Sequence, residues 1–329
     1  MIDRRRFLAA SVGAACAAPS LPTFARGNKG ELTATDVHVD GYPTVEAVKW
    51  IGETLARETE GRLRIRLYHS GQLGRESDAI DMARFGAIDI TRVYTGALNN
   101  AFPLTQALCL PYLFDSVAHL RRVLDGDVGR EVLRGFEARD LVGLAIYDSG
   151  ARSFYNTRRP LRTPADMQGL KFRVPPSDIF IRLLRLFGAN PTPLAFGEVF
   201  SSLETRLIDG AENNMRSFHS SRHFEAARYW SQSEHSYAPD VLLISRRTLE
   251  AMTPADRALV IDTARASVQV MRRLWDASES AAHKAVAAHG VEFNDVDMVA
   301  YRAAAAPLLD EYTNRAEIAP LYRRIRALA

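Results

Sequence analysis

Two arginines in the second half of the chain have sequence contexts that suit carboxylate binding. Arg173 lies in the alternating segment LKFRV (170–174), which predicts a strand with Lys171 and Arg173 on one face. Arg152 lies in GARSF (150–154), at the start of a second α/β unit. A guanidinium donates two parallel N–H bonds to a carboxylate and so fixes both orientation and charge. The chemistry indicated is recognition of an organic acid; the alternative for Arg173 is a charge on a solvated strand face.

The segment DGAENN (209–214) predicts a turn rich in side chains that form hydrogen bonds. Asn213 in this turn can donate through its NH₂ group and accept through its amide oxygen. It is therefore a candidate for binding a polar ligand.

Other site chemistries have little support in the sequence. His219 and His223 are four residues apart, with Glu225 nearby, a spacing that can seat zinc. No HExxH pattern and no convincing third ligand accompany them, so we interpret both as surface or packing histidines. The chain contains no GxSxG, GxGxxG or P-loop motif, which argues against a hydrolase and against nucleotide cofactors. The sequence predicts no catalytic residue, no metal and no cofactor.

Alternating strand-like and helix-like segments must position these residues. Pro43 opens an amphipathic helix, residues 62–67 alternate as a strand, and residues 87–94 form the next strand. A second unit of this kind starts near Ala151. From 254 to about 289 there is almost no Gly or Pro, which predicts a helix far longer than the mean of about 11–12 residues. This order favours open sheets covered by helices, and the long helix could cross from one lobe to the other.

The composition limits the classes of protein that the chain can represent. Its 329 residues exceed the usual size of one domain, about 100–200 residues, so two lobes are expected. A charged fraction of 25% and a mean hydropathy of -0.15 exclude a polytopic membrane protein, a disordered chain and a fibre. The formal net charge of +3 falls to +1 when residues 1–25, with three arginines and one aspartate, are removed. That charge gives nucleic-acid binding no support.

Residues 1–25 have the features of a twin-arginine export signal. Arg4, Arg5 and Arg6 precede a Phe-Leu pair, and the apolar stretch 7–18 is too short to span a bilayer of about 30 Å. The segment TFA (23–25) provides small residues for a signal peptidase. The alternatives are an N-terminal helix of the fold and a lipid anchor at Cys16. The mature product is predicted to be periplasmic, without stable membrane insertion.

Cys109 is the one cysteine that would remain after export. It lies in the apolar run ALCLP (107–111), which predicts a small buried side chain. A single cysteine cannot form an internal disulfide, and no CxxC motif or Cys/His cluster is present.

Four ordered segments carry a resemblance that covers essentially the whole mature chain. They are GLKFRVP (169–175), GANPTPL (188–194), FGEVF (196–200) and DGAENN (209–214), and QLG (72–74) and LPYLF (110–114) accompany them. In this order they resemble the extracytoplasmic solute-binding proteins of TRAP transporters, the DctP family. The block from 169 to 214 is long and ordered, so it is more specific than any of its short motifs.

The resemblance implies an α/β, two-lobe fold of the periplasmic-binding-protein type, with discontinuous lobes, a cleft between them and a long helix spanning both. It divides the mature chain into a first part of lobe I (26–149), a first part of lobe II (150–238), a return to lobe I (239–278) and C-terminal helices on lobe II (279–329). The lobes are expected to close over an organic acid.

On lobe II, the resemblance implies four ligand contacts. Arg173 would form the salt bridge to the ligand carboxylate. Arg152 and Asn213 would contact the same end of the ligand, and Phe196 would pack on the ligand body.

On lobe I, the resemblance points to Glu76 and Arg92, at positions that vary with the substrate and reach its hydroxyl or second polar end. With His38, Asp40 and Tyr42 upstream, this tract is similar to that of members that bind sugar acids such as uronates, and His38 is a further expected ligand contact. A C4-dicarboxylate is the alternative, since Arg92 could hold a second carboxylate. Arg92 could also be a surface charge on an edge strand.

The function implied is that of a receptor with no chemistry of its own. It would deliver its ligand to a small and a large integral membrane subunit driven by an ion gradient, and no nucleic acid is expected as a partner. Two other classes stay open: a periplasmic enzyme acting on an organic acid, for which the sequence nominates no nucleophile, and a receptor that feeds a sensor kinase.

Overall fold

Two β-sheets, each covered by helices, organise the chain in the computed structural model, which describes residues 30–237 and 239–329. We call the first sheet with its helices lobe I and the second lobe II. The predicted export signal, with Cys16, lies outside the described residues. No helix in the described part of the chain combines the length and the apolarity that a membrane crossing requires.

The described strands are β1 (Glu31–Thr35), β2 (Arg64–Tyr68), β3 (Ile90–Tyr94), β4 (Leu141–Tyr147), β5 (Arg152–Asn156), β6 (Lys171–Val174), β7 (Asn190–Pro193), β8 (Gly210–Asn214), β9 (Tyr229–Ser236), β10 (Asp240–Ser245) and β11 (Glu292–Asp295). The described α-helices are α1 (Pro43–Glu58), α2 (Glu76–Arg84), α3 (Thr95–Leu98), α4 (Gln106–Cys109), α5 (Val117–Asp125), α6 (Asp127–Arg134), α7 (Asp178–Leu186), α8 (Val199–Glu204), α9 (Met215–Ser220), α10 (His223–Ala226), α11 (Arg246–Glu250), α12 (Pro254–Ala288), α13 (Met298–Thr313) and α14 (Ala319–Arg326).

The order of the strands shows that both lobes are built from separated parts of the chain. The first sheet has the order β2-β1-β3-β10-β4, and the second has the order β11-β9-β5-β8-β6-β7. β10 pairs antiparallel with both β3 and β4, so a strand that follows most of lobe II completes the sheet of lobe I. The predicted α/β fold of two discontinuous lobes is confirmed.

The long helix α12 joins the two lobes. Thr253 caps its first turn through a side-chain oxygen, and Pro254 occupies the first helical position, where no backbone donor is needed. Val260, early in the helix, packs in the lobe I core, whereas Ala282 and Val286, near its end, pack in the lobe II core. One continuous helix therefore connects both cores, as the sequence predicts.

The C-terminal helices also contact both lobes. α13 packs on α7 of lobe II, and α14 packs on α6 of lobe I. The ring of His119 on α5 lies with Nε2 2.8 Å from the carbonyl oxygen of Ile325 on α14. The prediction places residues 279–329 on lobe II, and α14 contacts lobe I as well.

Cys109 lies in a buried apolar cluster, with its thiol 3.3 Å from the Thr95 hydroxyl. Burial raises the pKa of this thiol to about 12. Because the thiolate is the reactive form, we expect the folded chain from residue 26 onward to resist a thiol-specific colorimetric reagent and to react fully in guanidinium chloride. Rapid reaction of the native protein would contradict the buried position.

Candidate functional site

A cavity lies between the lobes and is lined by residues of both. The residues that line it come from both sheets, mostly at strand ends and in the turns beside them, and they are Val37, His38, Glu76, Arg92, Tyr94, Ser149, Arg152, Arg173, Phe196, Asn213, Asn214, Ser217 and Asp240. All seven ligand contacts expected from the sequence are among them, and their binding roles stay a prediction. Crevices at strand ends are the usual ligand sites of open α/β sheets.

Arg173 is a buried cation for which the described residues provide no anionic partner. It lies on β6, is 4% exposed, and donates from Nε to the carbonyl oxygen of Leu194 at 2.9 Å. No carboxylate of the described residues is within ion-pair distance of its guanidinium, and burial lowers its pKa. Lys171, two residues earlier, is exposed. The alternative interpretation of a charge on a solvated strand face therefore holds for Lys171 but is wrong for Arg173. An unpaired buried charge is costly, which makes this part of the cavity a site for an anion.

Arg152 has its counter-ion within the protein. At the start of β5 it donates to the Glu212 carboxylate from Nε at 2.5 Å and from Nη2 at 2.9 Å, and its guanidinium lies 4.6 Å from the centre of the Tyr94 ring. Burial raises the pKa of Glu212, but the charge of Arg152 outweighs it, and the pKa falls to about 2. The pair is ionised near neutral pH, so Arg152 offers a fixed donor, whereas Arg173 offers an unneutralised charge.

Asn213 lies beside Arg152 on the adjacent strand β8. The turn predicted for residues 209–214 is wrong, because Gly210–Asn214 form a buried strand that pairs with β5 and β6. Its Oδ1 accepts from Arg152 Nη1 at 2.9 Å and from the backbone N–H of Asn214 at 2.8 Å. These two bonds orient the amide and leave Nδ2 as a donor without a partner among the described residues. Arg173, Arg152 and Asn213 therefore present donors to one end of the cavity.

Arg92 is occupied by carboxylates of its own lobe. It lies on β3 between β1 and β10 and is 1% exposed, so the alternative of a surface charge on an edge strand is wrong. Its guanidinium donates to Asp36, to Glu76 Oε1 at 3.0 Å and to Asp240 Oδ1 at 3.3 Å. Arg92 thus gathers three acids at the lobe I end of the cavity, where acidic groups outnumber cations.

Three acidic residues of the site, Asp36, Asp240 and Glu212, were not expected from the sequence. Each pairs with an arginine that was: Asp36 and Asp240 with Arg92, and Glu212 with Arg152. The sequence feature that could have identified two of them is their position: Asp36 directly follows β1, and Asp240 directly precedes the apolar segment VLLIS (241–245). An arginine buried on a central strand needs a counter-ion, and that requirement points to acids at strand ends.

His38 and Phe196 form an aromatic wall to which both lobes contribute. The His38 ring stacks on Tyr42 with centroids 3.7 Å apart and meets Phe196 edge-on at 5.0 Å. Burial, with the charge of Arg92, lowers the pKa of His38 well below its usual value, so the ring is neutral. Its Nδ1 has no partner among the described residues. The wall offers an apolar face with one polar atom, which suits the carbon skeleton of a polar molecule.

His223 packs inside lobe II. Its Nδ1 lies 2.8 Å from the Tyr155 hydroxyl, and burial lowers its pKa to about 3. His219 is partly exposed and lies four residues earlier on the separate helix α9. Within residues 30–237 and 239–329, no three His, Cys, Asp or Glu side chains are grouped as a metal ion would require.

The chain is similar to solute-binding proteins in sequence and in structure. Residues 35–315 match the DctP family, described as bacterial extracellular solute-binding protein, family 7. A TRAP periplasmic solute binding protein from Bradyrhizobium sp. BTAi1, solved in complex with α/β-D-galacturonate, is 44% identical, with a TM-score of 0.88 over 90% of this chain and 99% of that chain. Another, from Roseobacter denitrificans with bound β-D-glucuronate, is 37% identical, with a TM-score of 0.87 over 90% and 99%.

A curated relative extends the comparison. The 2,3-diketo-L-gulonate-binding periplasmic protein YiaO of Escherichia coli K12 is 31% identical over 268 residues, which are 79% of this chain and 82% of that protein. The family match covers well over half of the chain, and the two solved structures cover nearly all of it. The chain therefore belongs to the DctP family, the extracytoplasmic solute-binding proteins of TRAP transporters.

Proposed function

We propose that this receptor binds a hexuronate in the periplasm and delivers it to the membrane subunits of a TRAP transporter. The observation that carries the proposal is Arg173, a buried guanidinium that lines a cavity between two lobes without an anionic partner among the described residues. A ligand carboxylate supplies the missing charge and two acceptors. Arg152 and Asn213 add donors at the same end.

The lobe I side of the cavity favours hydroxyl groups. Glu76, Asp36 and Asp240 surround the single charge of Arg92 there. Carboxylates accept hydrogen bonds from hydroxyl groups, and they repel another carboxylate strongly in a buried setting. An acid with one carboxylate and several hydroxyl groups therefore complements both ends.

This charge arrangement disfavours the C4-dicarboxylate alternative. That alternative requires Arg92 to hold a second carboxylate, but both terminal nitrogens of Arg92 already donate to acids of lobe I. The similar structures from Bradyrhizobium and Roseobacter denitrificans hold galacturonate and glucuronate, which have one carboxylate and several hydroxyl groups. These two lines of support select a hexuronate.

Binding and lobe closure are coupled in this proposal. Tyr42 of lobe I and Ser217 of lobe II share a hydrogen bond of 2.9 Å, and Asn99 donates to Ser177 across the lobes at 2.7 Å. Only a closed arrangement places the donors of lobe II and the acids of lobe I around one ligand, so the ligand stabilises it. Exclusion of water strengthens the charge-assisted bonds. The cavity binds and orients its ligand, and no catalytic step is needed.

Calorimetric titration with paired ligands tests the proposal. D-galacturonate and D-galactose differ at C6, where the first has a carboxylate, so we expect binding of the first and none of the second. Succinate, a C4-dicarboxylate, should not compete. A hexuronate at about 100 times its Kd should raise the free energy of unfolding by about 2.7 kcal/mol, which a thermal-shift assay detects. Equal binding of galactose, or tighter binding of succinate, would contradict the proposal.

A further inference from the structure

Asp240 places a carboxyl group in the lobe I end of the cavity. It is the first residue of β10, and its backbone pairs with Tyr94 of β3 on one side and Tyr147 of β4 on the other. The residue is 3% exposed and lines the cavity. Its place at the start of a central strand fixes the backbone, so the carboxyl group cannot move far from the cavity.

One oxygen of Asp240 is without a partner. Oδ1 accepts from Arg92 Nη1 at 3.3 Å, whereas Oδ2 is buried and receives no hydrogen bond from the described residues. The neighbouring acid Asp36 is better satisfied, since it accepts from Arg92, from Thr44 Oγ1 at 2.7 Å and from the backbone N–H of His38 at 2.9 Å. A buried acceptor without a donor is destabilising, so this oxygen is available for a donor that arrives with the ligand.

We propose that Asp240 is a specificity-determining residue: its Oδ2 binds a hydroxyl group at the end of the ligand opposite the carboxylate, and its carboxyl group opposes a second carboxylate at that position. This inference rests on the proposed function, because it takes the ligand to be anchored at Arg173. It narrows that function to uronates and separates them from aldarates, which carry a carboxylate at both ends of the same hydroxylated carbon chain.

The charged and titratable groups that face Asp240 come from every element packed around it: Arg92, Glu76, Asp36, Arg152, Tyr42, Tyr94 and Tyr147. Burial raises the pKa of Asp240, Arg92 lowers it, and Glu76 and Asp36 raise it, with a resulting pKa of about 7. Below that pH the carboxyl group can donate to a hydroxyl oxygen, and above it the carboxylate accepts from a hydroxyl hydrogen. A hydroxyl group is bound in both states, whereas the ionised state repels a ligand carboxylate.

Asp240→Asn tests the role, because it keeps the shape of the side chain and removes its charge. The Kd values of D-galacturonate and of galactarate, which has a carboxylate at C1 as well, are measured for wild type and variant by calorimetry. Asp127→Asn, which neutralises an exposed acid on α6 of the same lobe, is the matched control. We expect the affinity for galactarate relative to galacturonate to rise by about tenfold in Asp240→Asn and to stay unchanged in Asp127→Asn. An unchanged ratio in Asp240→Asn would overturn the proposal.

A pH series on the wild type keeps the test valid even if the variant does not fold. Between about pH 5.5 and 8.5 both sugar acids are fully ionised, so a change in the ratio of their affinities reports on the protein. As the pH rises through about 7, Asp240 ionises. We then expect galactarate to lose about tenfold in affinity relative to galacturonate, with a flat profile in Asp240→Asn. A ratio that does not change with pH in the wild type would count against the role of Asp240.

The outcomes distinguish this inference from the proposed function. Wild-type protein that binds no hexuronate refutes both. Tight binding of galacturonate with an unchanged ratio in Asp240→Asn and a flat wild-type pH profile refutes the role of Asp240 alone. Tight binding with a raised ratio in the variant supports both.

Discussion

Replacing Arg173 by alanine is expected to weaken hexuronate binding by about 30-fold to several thousand-fold, because truncating one partner of a buried charge pair costs about 2–5 kcal/mol. The substitution should destabilise the ligand-bound state and not the ligand-free state. Arg173 forms no ion pair within the described residues, and its one hydrogen bond there goes to the backbone of Leu194. The ligand-free protein should keep its melting temperature or gain slightly, because a buried unpaired charge is removed. Calorimetric titration and thermal unfolding of the same samples measure both effects.

Two further variants isolate the cause. Arg173→Lys keeps the charge and loses the planar fork, and we expect binding at least about tenfold weaker than wild type. Lys171→Ala removes an exposed cation two residues earlier on the same strand and should bind as wild type does. If Arg173→Ala binds within about threefold of wild type, the ligand anchor lies at another residue.

Replacing Arg92 by methionine is expected to lower the free energy of unfolding by about 3–5 kcal/mol, because breaking a buried ion pair leaves uncompensated buried charge. The guanidinium is fully buried and pairs with Asp36, Glu76 and Asp240, which all lose their common cation in the variant. Methionine fills irregular space well, so the loss is mainly one of charge and not of packing. Equilibrium unfolding in urea measures the change.

Arg130→Met is the matched control for Arg92→Met. Arg130 pairs with Asp127 at the surface, where their side chains are 58% and 81% exposed, so a change of no more than about 1 kcal/mol is expected. A small stability loss in Arg92→Met together with a new ranking of ligands would instead indicate that Arg92 contacts the ligand directly.

The cost of Arg92→Met should shrink on acidification. In the wild type, burial raises the pKa of Asp36, but Arg92 outweighs burial and the pKa lies below its usual value. That contribution to stability is present above the unfolded-state pKa and is lost as the pH falls through the folded-state pKa. Without Arg92, burial dominates and the pKa of Asp36 rises, so the variant gains stability relative to wild type as the pH falls. The difference in unfolding free energy should therefore be smaller at about pH 5 than at about pH 7.

The fold could be predicted because each strand or helix is indicated by residues that are close together in the sequence. The alternation in LKFRV (170–174), the proline at Pro43 and the long stretch after 254 each indicate one element, and the structure has β6, α1 and α12 there. The residues expected to contact a ligand line one cavity, and most of them lie at or near a strand end.

The different environments of the arginines could not be predicted in this way. Arg92 and Arg173 both lie on strands predicted from the sequence, yet Arg92 is neutralised and Arg173 is not. Part of the neutralisation of Arg92 comes from Asp240, which is 148 residues away in sequence and reaches it only because β10 pairs with β3. Hydrophobic periodicity reports which face of a strand is buried, and it carries no information on which distant acid arrives there.

The position of β10 in lobe I has a consequence for synthesis on the ribosome. β3 and β4 lack the strand that joins them until residues 240–245 have been made, about 100 residues after β4, which takes about 5–20 s at about 5–20 residues per second. Unpaired apolar strand edges are templates for aggregation, so we expect nascent lobe I to need a chaperone during that interval. A chain that terminates before residue 240 lacks both the closing strand and the carboxyl group of Asp240. Premature termination there yields an aggregation-prone fragment and not a weakened receptor.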